Sequence, residues 1–219
     1  LKVVEASEGV ELIPASSDEE DGHAGDTDGD GDADDAAVEA EYHDHGAYDP
    51  HVWLSPENAK TEMKNIADAF AAADPNNAAD YQANYERWAG ECDKLADEYT
   101  DRLSQTTSKT IVVSHQAFGY LCRDFGLTQE PIMGIEADAE PDAQAMARIA
   151  DYVKQHNVKV IFSEGLVSPK VAQTIADATG AQVGRLNPLE GLTDEEIAYG
   201  EDYFSVMRSN LDELVAALA

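Results

Sequence analysis

Two patterns of hydrophobic and polar positions divide the chain. Apolar side chains recur at spacings of three and four in some segments and form short continuous runs in others. The first pattern is typical of amphipathic helices and the second of buried strands. Residues 1–13 are predicted to form a strand and a turn, whereas residues 16–48 carry almost no large apolar groups. We therefore expect the folded, patterned part of the chain to begin at Asp49.

Two long helices are predicted first. Ser55-Pro56 is a typical helix start, because serine caps free N–H groups and proline suits the first turn. This helix should run to about Ala73. Asp74-Pro75 repeats the signal, and the next helix should extend to about Gln105, roughly 45 Å at about 1.5 Å per residue. A helix of that length is suited to connecting two lobes. Its apolar stripe consists of Tyr81, Tyr85, Trp88, Cys92, Leu95, Tyr99 and Leu103.

Short apolar runs alternate with helical segments from residue 106 onward. Strands are predicted at 110–114, 131–135, 158–163 and 182–186. Helices are predicted to end at Gly126, to run from Pro141 to about His156, to end at Gly180, and to close the chain over 201–218. This alternation favours an α/β fold with a mostly parallel sheet covered by helices on both faces. Ligands bind at the carboxyl ends of the strands in such sheets.

The charge balance changes the picture of the surface. Lys+Arg number 14 and Asp+Glu 45, which gives a net charge of −31. Such a surface repels nucleic acid and anionic membranes and attracts cations. The acidic residues are spread along the whole chain, which favours a halophilic protein, since the Debye length is only about 3 Å in molar salt. An ordinary acidic extracellular protein is the alternative. No apolar run approaches the roughly 20 residues of a transmembrane helix.

The chain has two cysteines, Cys92 and Cys122. Neither lies in a CxxC or Cys/His spacing typical of zinc thiolate sites. Both fall on apolar stripes of predicted helices, so we expect small buried side chains. Whether they form a disulfide depends on geometry that the sequence leaves open.

Potential metal ligands lie at the ends of predicted elements. His115 follows the first strand of the β/α region, Glu164 follows the run KVIFS, and Glu190 lies just beyond the last strand. His51 precedes the helix capped by Ser55. Imidazole nitrogens and a carboxylate oxygen form a ligand set that zinc accepts. Because an isolated histidine is more often a structural residue, spacing alone leaves both interpretations open.

The acidic segment carries three histidines of its own, His23, His43 and His45. Its composition predicts a mobile loop, because so few apolar groups cannot offset the entropy of ordering. The histidines are candidates for loose zinc capture, and a merely solvated tether is the alternative. Residues 26–31 also resemble the first half of a calcium-binding EF-hand loop. The twelfth position is Ala37 in place of the bidentate glutamate, which argues against calcium.

Five segments resemble, in order, consecutive signatures of the ZnuA-type zinc/manganese solute-binding proteins of ABC transporters. They read DPHVWLSPENAK, VVSHQAFGYLCRDFGL, IFSEGLVSPKVAQTIADATGAQV, LNPLEGL and GEDYFSVMRSNLDEL. The resemblance extends over 49–219, and the leading KVVEASEGVELI also fits. It implies two α/β lobes joined by a long helix, with the metal held between them. It also implies a non-catalytic, cell-surface receptor that delivers metal to a membrane permease.

The resemblance assigns roles to individual residues. The histidine of the DPHxW motif falls on His51, that of SHxAFGY on His115, and the glutamate of NPLE on Glu190; all three are implied metal ligands. Other relatives carry an aspartate at or near Asn187, so we expect this residue beside the ligands and not among them. Glu164 matches a characteristic family glutamate. We expect it to orient a ligand histidine through its other ring nitrogen.

The resemblance also divides the chain into regions. Residues 1–17 correspond to a remnant of the amino-terminal lobe and 18–48 to the acidic loop. Residues 49–105 hold the metal-ligand segment and the linking helix, and 106–219 the carboxy-terminal lobe. The family's first histidine ligand lies in a lobe that would precede this sequence. We therefore expect a water or a neighbouring chain to complete the site, or the site to be empty, and we expect a lipid anchor in a segment outside the sequence. A haloarchaeal origin would fit the charge.

Zinc is favoured over manganese as the bound metal. Manganese-preferring members tend to carry a carboxylate where this chain has His115, and harder oxygen ligands suit manganese. Three alternatives remain: a manganese receptor of the same family, a zinc-binding adhesin or storage protein, and a zinc hydrolase with Glu164 as base. The hydrolase is disfavoured, because the chain has neither HExxH nor GxSxG.

Overall fold

The computed structural model describes residues 2–15, 48–135, 141–165 and 168–219. His23, His43 and His45, together with the EF-hand-like stretch 26–31, lie outside the described residues. Residues 2–15 contain a turn at 6–9 and an isolated bridge between Pro14 and Tyr48, but no strand. The strand predicted there is wrong, since within the described part this segment has no neighbouring strand to pair with, and the turn is confirmed.

Two long helices pack side by side. Helix α1 spans Pro56–Ala73, and the Ser55 side chain accepts a hydrogen bond from the Asn58 N–H, as the predicted cap requires. Pro75 opens a short 3-10 turn, so α2 begins later than predicted and spans Ala78–Ser104. Its 27 residues give a length of about 40 Å. The fully buried residues of α2 begin at Ala89 and are Ala89, Cys92, Leu95, Tyr99 and Leu103.

A parallel sheet of four strands follows, in the order β2-β1-β3-β4. The strands are β1 (Thr110–Val113), β2 (Thr128–Pro131), β3 (Val160–Ser163) and β4 (Gln182–Arg185). The α/β class and parallel sheet are therefore confirmed. The second strand was placed too late, because Pro131 ends β2 and does not begin it. Proline is tolerated there because β2 is an edge strand.

Helices cover both faces of the sheet. Helices α3 (Gly119–Phe125) and α7 (Tyr203–Leu218) lie with α2 on one face, and α4 (Ala143–Gln155) and α5 (Lys170–Thr179) lie on the other. The short helix α6 (Asp194–Tyr199), between β4 and α7, has no buried residue. Helix α4 begins after Asp142, whose side chain caps it, and not at Pro141. Helix α6 was not predicted, although Thr193 and Glu196 form a capping box at its start. No helix in the described ranges is long and apolar enough to cross a membrane.

Successive residues of the central strands point to opposite faces of the sheet and contribute to two hydrophobic clusters, one on each face. Val112 and Ile161 pack with residues of α4 and α5. On the opposite face, Ile111 and Phe162 pack with side chains of α2, α3 and α7. Burial on both faces explains why the central strands β1 and β3 are continuous apolar runs. It also fixes the sheet rigidly, so that the residues following each strand have defined positions.

Cys92 and Cys122 are free and buried in α2 and α3. Burial raises the pKa of the Cys92 thiol to about 11 and that of the Cys122 thiol to about 12. The prediction of two small buried side chains is confirmed. Neither thiol is poised to form a thiolate at neutral pH.

Candidate metal centre

Three side chains with metal-ligand chemistry converge at the carboxyl edge of the sheet. They are His51, directly before a 3-10 turn, His115, two residues after β1, and Glu190, in the loop after β4. One potential ligand atom from each lies within 4.8 Å of the other two. The Nε2–Oε1 distance to Glu190 is 2.9 Å for His51 and 3.5 Å for His115. Both histidines are buried, whereas the Glu190 side chain is 41% exposed.

Each histidine ring is hydrogen-bonded at Nδ1 to a buried carboxylate. His51 Nδ1 lies 2.7 Å from Asp49 Oδ1, which also accepts the His51 backbone N–H at 2.9 Å. His115 Nδ1 is hydrogen-bonded to Glu164 Oε1. A carboxylate at Nδ1 keeps a proton on that nitrogen and favours Nε2 as the atom that binds a metal. His51 Nε2 is itself hydrogen-bonded to Glu190 Oε1 at 2.9 Å, so it would have to lose a proton before it could act as a ligand. Both Nε2 atoms lie beside the Glu190 carboxylate, which makes the three side chains candidate metal ligands.

His115 Nε2 is buried and has no hydrogen-bond partner. A buried polar atom without a partner costs about 1–3 kcal/mol. A metal ion bound at this nitrogen would satisfy it. The internal hydrogen bonds of the described residues thus leave this nitrogen unsatisfied, as a candidate ligand atom.

Asp49 is a site residue that sequence reasoning missed. It is 2% exposed, and its backbone is fixed by two further bonds: its N–H donates to the Ile13 carbonyl at 2.8 Å, and the Tyr120 hydroxyl donates to its carbonyl at 2.8 Å. The available signal was an acidic residue two positions before a histidine with proline between them. Such a spacing lets one carboxylate oxygen reach both the backbone and the ring of that histidine.

The loop that carries Glu190 is shaped by Asn187. Its backbone N–H donates to Asn210 Oδ1 at 2.9 Å, and its own Oδ1 accepts the Leu189 N–H at 2.8 Å. Leu189 adopts a left-handed backbone conformation, with φ of 59°. Trp53 Nε1 donates to the Pro188 carbonyl at 2.8 Å. Asn187 therefore supports the turn that presents Glu190, and Trp53 joins this loop to the segment that carries His51.

The charges around His51 govern its protonation. Burial alone lowers the pKa of His51, but the hydrogen bonds and negative charges of Asp49 and Glu190 outweigh it. The net effect is a pKa above the ordinary value of 6.5. A proton on His51 competes with a metal ion for the same ring, so metal binding at this residue is favoured as the pH rises above its raised pKa.

Two imidazole nitrogens and one carboxylate oxygen suit zinc better than a hard ion such as manganese. Zinc usually takes four ligands in a tetrahedral arrangement. The three donors among the described residues would occupy three of these positions.

Comparison with known proteins places the same features in a family. The model of the family described as "ZnuA: Zinc-uptake complex component A periplasmic" matches residues 1–217. The zinc-binding protein AdcA of Streptococcus pyogenes serotype M1 is 44% identical over 174 residues, which are 80% of this chain and 34% of that protein. The high-affinity zinc uptake system protein ZnuA of Bacillus subtilis is 42% identical over 172 residues, 78% of this chain and 54% of that protein. The chain thus spans about a third to a half of these relatives.

Solved structures agree with the fold. A mutant of the laminin-binding adhesin Lmb of Streptococcus agalactiae superimposes with a TM-score of 0.79 at 34% identity, covering 100% of this chain and 71% of that one. The Zn(II)-bound ZnuA-like domain of Streptococcus pneumoniae AdcA gives a TM-score of 0.70 at 37% identity, covering 80% and 66%. Both sequence identities are high enough to indicate a family relationship in addition to a shared fold.

Proposed function

The chain belongs to the family of ZnuA-type zinc-uptake components, and on that premise we propose that it binds zinc outside the cell and delivers it to an ABC importer in the membrane. One observation carries the proposal. One ring nitrogen from each of two buried histidines and a carboxylate oxygen of Glu190 lie within 4.8 Å of one another. The relatives named above are zinc-binding and zinc-uptake proteins, which fits this donor set.

His51, His115 and Glu190 are the proposed ligands. Asp49 and Glu164 are proposed to orient the two rings, each through a hydrogen bond to Nδ1. Once His51 Nε2 has lost its proton, this arrangement supplies two imidazole nitrogens and one carboxylate oxygen without requiring either ring to turn. Zinc is the proposed cargo and manganese the alternative, since the two imidazoles favour the softer ion.

Replacement of His115 by alanine tests the ligand assignment. Zinc affinity should fall by more than the roughly 10- to 100-fold that loss of an outer partner typically costs. Competition with a chromophoric zinc chelator would measure it, with manganese titrated in parallel. His156→Ala is the matched control, because His156 is an exposed histidine at the carboxyl-terminal end of α4. Unchanged affinity in His115→Ala would remove His115 from the site.

The proposal makes the protein a receptor and not an enzyme. A zinc hydrolase would need Glu164 to activate water, but the structure engages this carboxylate with His115 Nδ1. The family and fold are those of solute-binding transport receptors. An adhesin role is the better second candidate, because one similar protein, Lmb of Streptococcus agalactiae, is described as bifunctional, with adhesin and metal-transporting activity. Immobilised laminin would test it, and absence of binding with and without zinc would exclude it.

Location and partners follow from the same proposal. The receptor would work outside the membrane, attached by a lipid, as the name of the Streptococcus pneumoniae zinc-binding lipoprotein AdcA says of that relative. Its partner would be a membrane permease. The acidic segment would add loose zinc capture through His23, His43 and His45. Adaptation to high salt stays a prediction from the net charge of −31, since the relatives named here are bacterial; unfolding measured against salt concentration would test it.

A further inference from the structure

Gly119, the first residue of α3, lies against the carboxylate of Asp49. A Cβ atom at this position would be 2.8 Å from Asp49 Oδ2 and 3.4 Å from Gln129 Nε2. The first distance is shorter than real Cβ contacts, so one of the two groups would have to move. The backbone of Gly119 is not in the left-handed region, so another residue could adopt its conformation. What this glycine provides is the space that a side chain would otherwise occupy.

Asp49 has little room to retreat. Its side chain is buried, and Oδ1 accepts hydrogen bonds from both the backbone and the ring of His51. Its backbone is fixed by Ile13 and Tyr120. Rotating or shifting the carboxylate therefore breaks the contacts that hold His51. Gln129 is also engaged, since its Oε1 accepts the Phe118 N–H at 3.0 Å.

We propose that Gly119 is a positioning residue for His51. Its missing side chain leaves the space in which the Asp49 carboxylate sits, and that carboxylate holds Nδ1 so that Nε2 points at Glu190. The effect of Gly119 on zinc rests on the proposed function, whereas its effect on the His51 ring does not require a metal ion. Zinc affinity and the ring signals of His51 in the metal-free protein can therefore be measured as two separate readouts.

The variant Gly119→Ala tests the proposal, with Gly90→Ala as the matched control. Gly90 lies in α2, and a Cβ there would meet nothing within 4 Å. Zinc affinity should fall about 10- to 100-fold in Gly119→Ala, the range for loss of a group that orients a ligand, and should stay unchanged in Gly90→Ala. In the metal-free protein, the ¹⁵N signals of the His51 ring should shift in Gly119→Ala alone.

A double variant shows whether the effect passes through Asp49. In an Asp49→Ala background the methyl group has room, so Gly119→Ala should cause no further loss of affinity. Equal affinity of the Gly119→Ala and Gly90→Ala proteins, or an additive loss in the double variant, would overturn the proposal. If Gly119→Ala fails to fold while the double variant folds, the clash with Asp49 is supported. If the unsubstituted protein binds no zinc, the proposed function fails, and the His51 signals still decide the role of Gly119.

Discussion

Replacing Glu164 by glutamine changes one buried atom that never touches the metal. In the structure Glu164 Oε1 is hydrogen-bonded to His115 Nδ1, and both residues are almost fully buried. The carboxylate accepts the Nδ1 proton and leaves Nε2 free to bind. Glutamine can accept the same bond more weakly, or it can turn its amide group and donate to Nδ1. The second arrangement moves the ring proton to Nε2, where the metal should bind.

The expected loss follows from the strength of the bond. A hydrogen bond to a charged group is worth about 1.5–3 kcal/mol and a neutral one about 0.5–1.5 kcal/mol. The difference is about 1–1.5 kcal/mol, and about 1.4 kcal/mol corresponds to a tenfold change in affinity. Zinc affinity should therefore fall about tenfold, and towards 100-fold if the amide turns, which agrees with the range for outer partners of metal ligands.

Chelator competition measures the affinity, and ¹⁵N spectra of the metal-free protein report which ring nitrogen of His115 carries the proton. Glu86→Gln is the control, because it removes the same charge from an exposed position on α2. Zinc binding as tight as in the unsubstituted protein would show that Glu164 does not orient His115. A loss of similar size in Glu86→Gln would trace the effect to net charge alone.

Two further predictions concern pH and the acidic segment. Zinc affinity should fall as the pH drops through the raised pKa of His51, because a proton then occupies the ring. Protonated His51 stabilises the metal-free protein, and this stabilisation has the opposite pH dependence. It is fully present below pH 6.5 and is lost as the pH rises through the raised pKa of His51. The melting temperatures measured with and without zinc should therefore diverge as the pH rises. A flat affinity between acid and neutral pH would contradict this. Deletion of residues 18–46 should leave tight binding intact and remove only weak, multiple binding in calorimetry; disappearance of the tight phase would place part of the site in that segment.

Local signals predicted most of the fold. Ser55 and Pro56 fixed the start of α1, and Gly126 and Gly180 end their helices in left-handed conformations, as expected of C-terminal glycines. An element boundary was predicted wrongly where one residue is compatible with two positions in a strand. Pro131 is compatible with either end of a strand, and only its place on the sheet edge decides between them. The capping box of α6 is visible in the sequence, but no helix is predicted there.

The site was less accessible to sequence reasoning. His51, His115, Glu164 and Glu190 are far apart in the chain, and spacing alone left their roles open; family resemblance brought them together. The structure places all four at one edge of the sheet. Asp49 was missed because its contact with His51 depends on the local turn. No sequence pattern of a single chain indicates which glycine leaves space for that carboxylate.

Within this chain, the unequal exposure of the three proposed ligands predicts the side from which a bound metal ion would be exchanged. Both histidines are buried, and 41% of the Glu190 side chain is open to solvent. A competing ligand would therefore reach an ion bound by these three residues on the carboxylate side, before it could reach either nitrogen. Zinc transfer should then be associative, with a dissociation rate that rises with the concentration of the acceptor. An acceptor that offers its own ligand next to Glu190 would accelerate release without unfolding the chain.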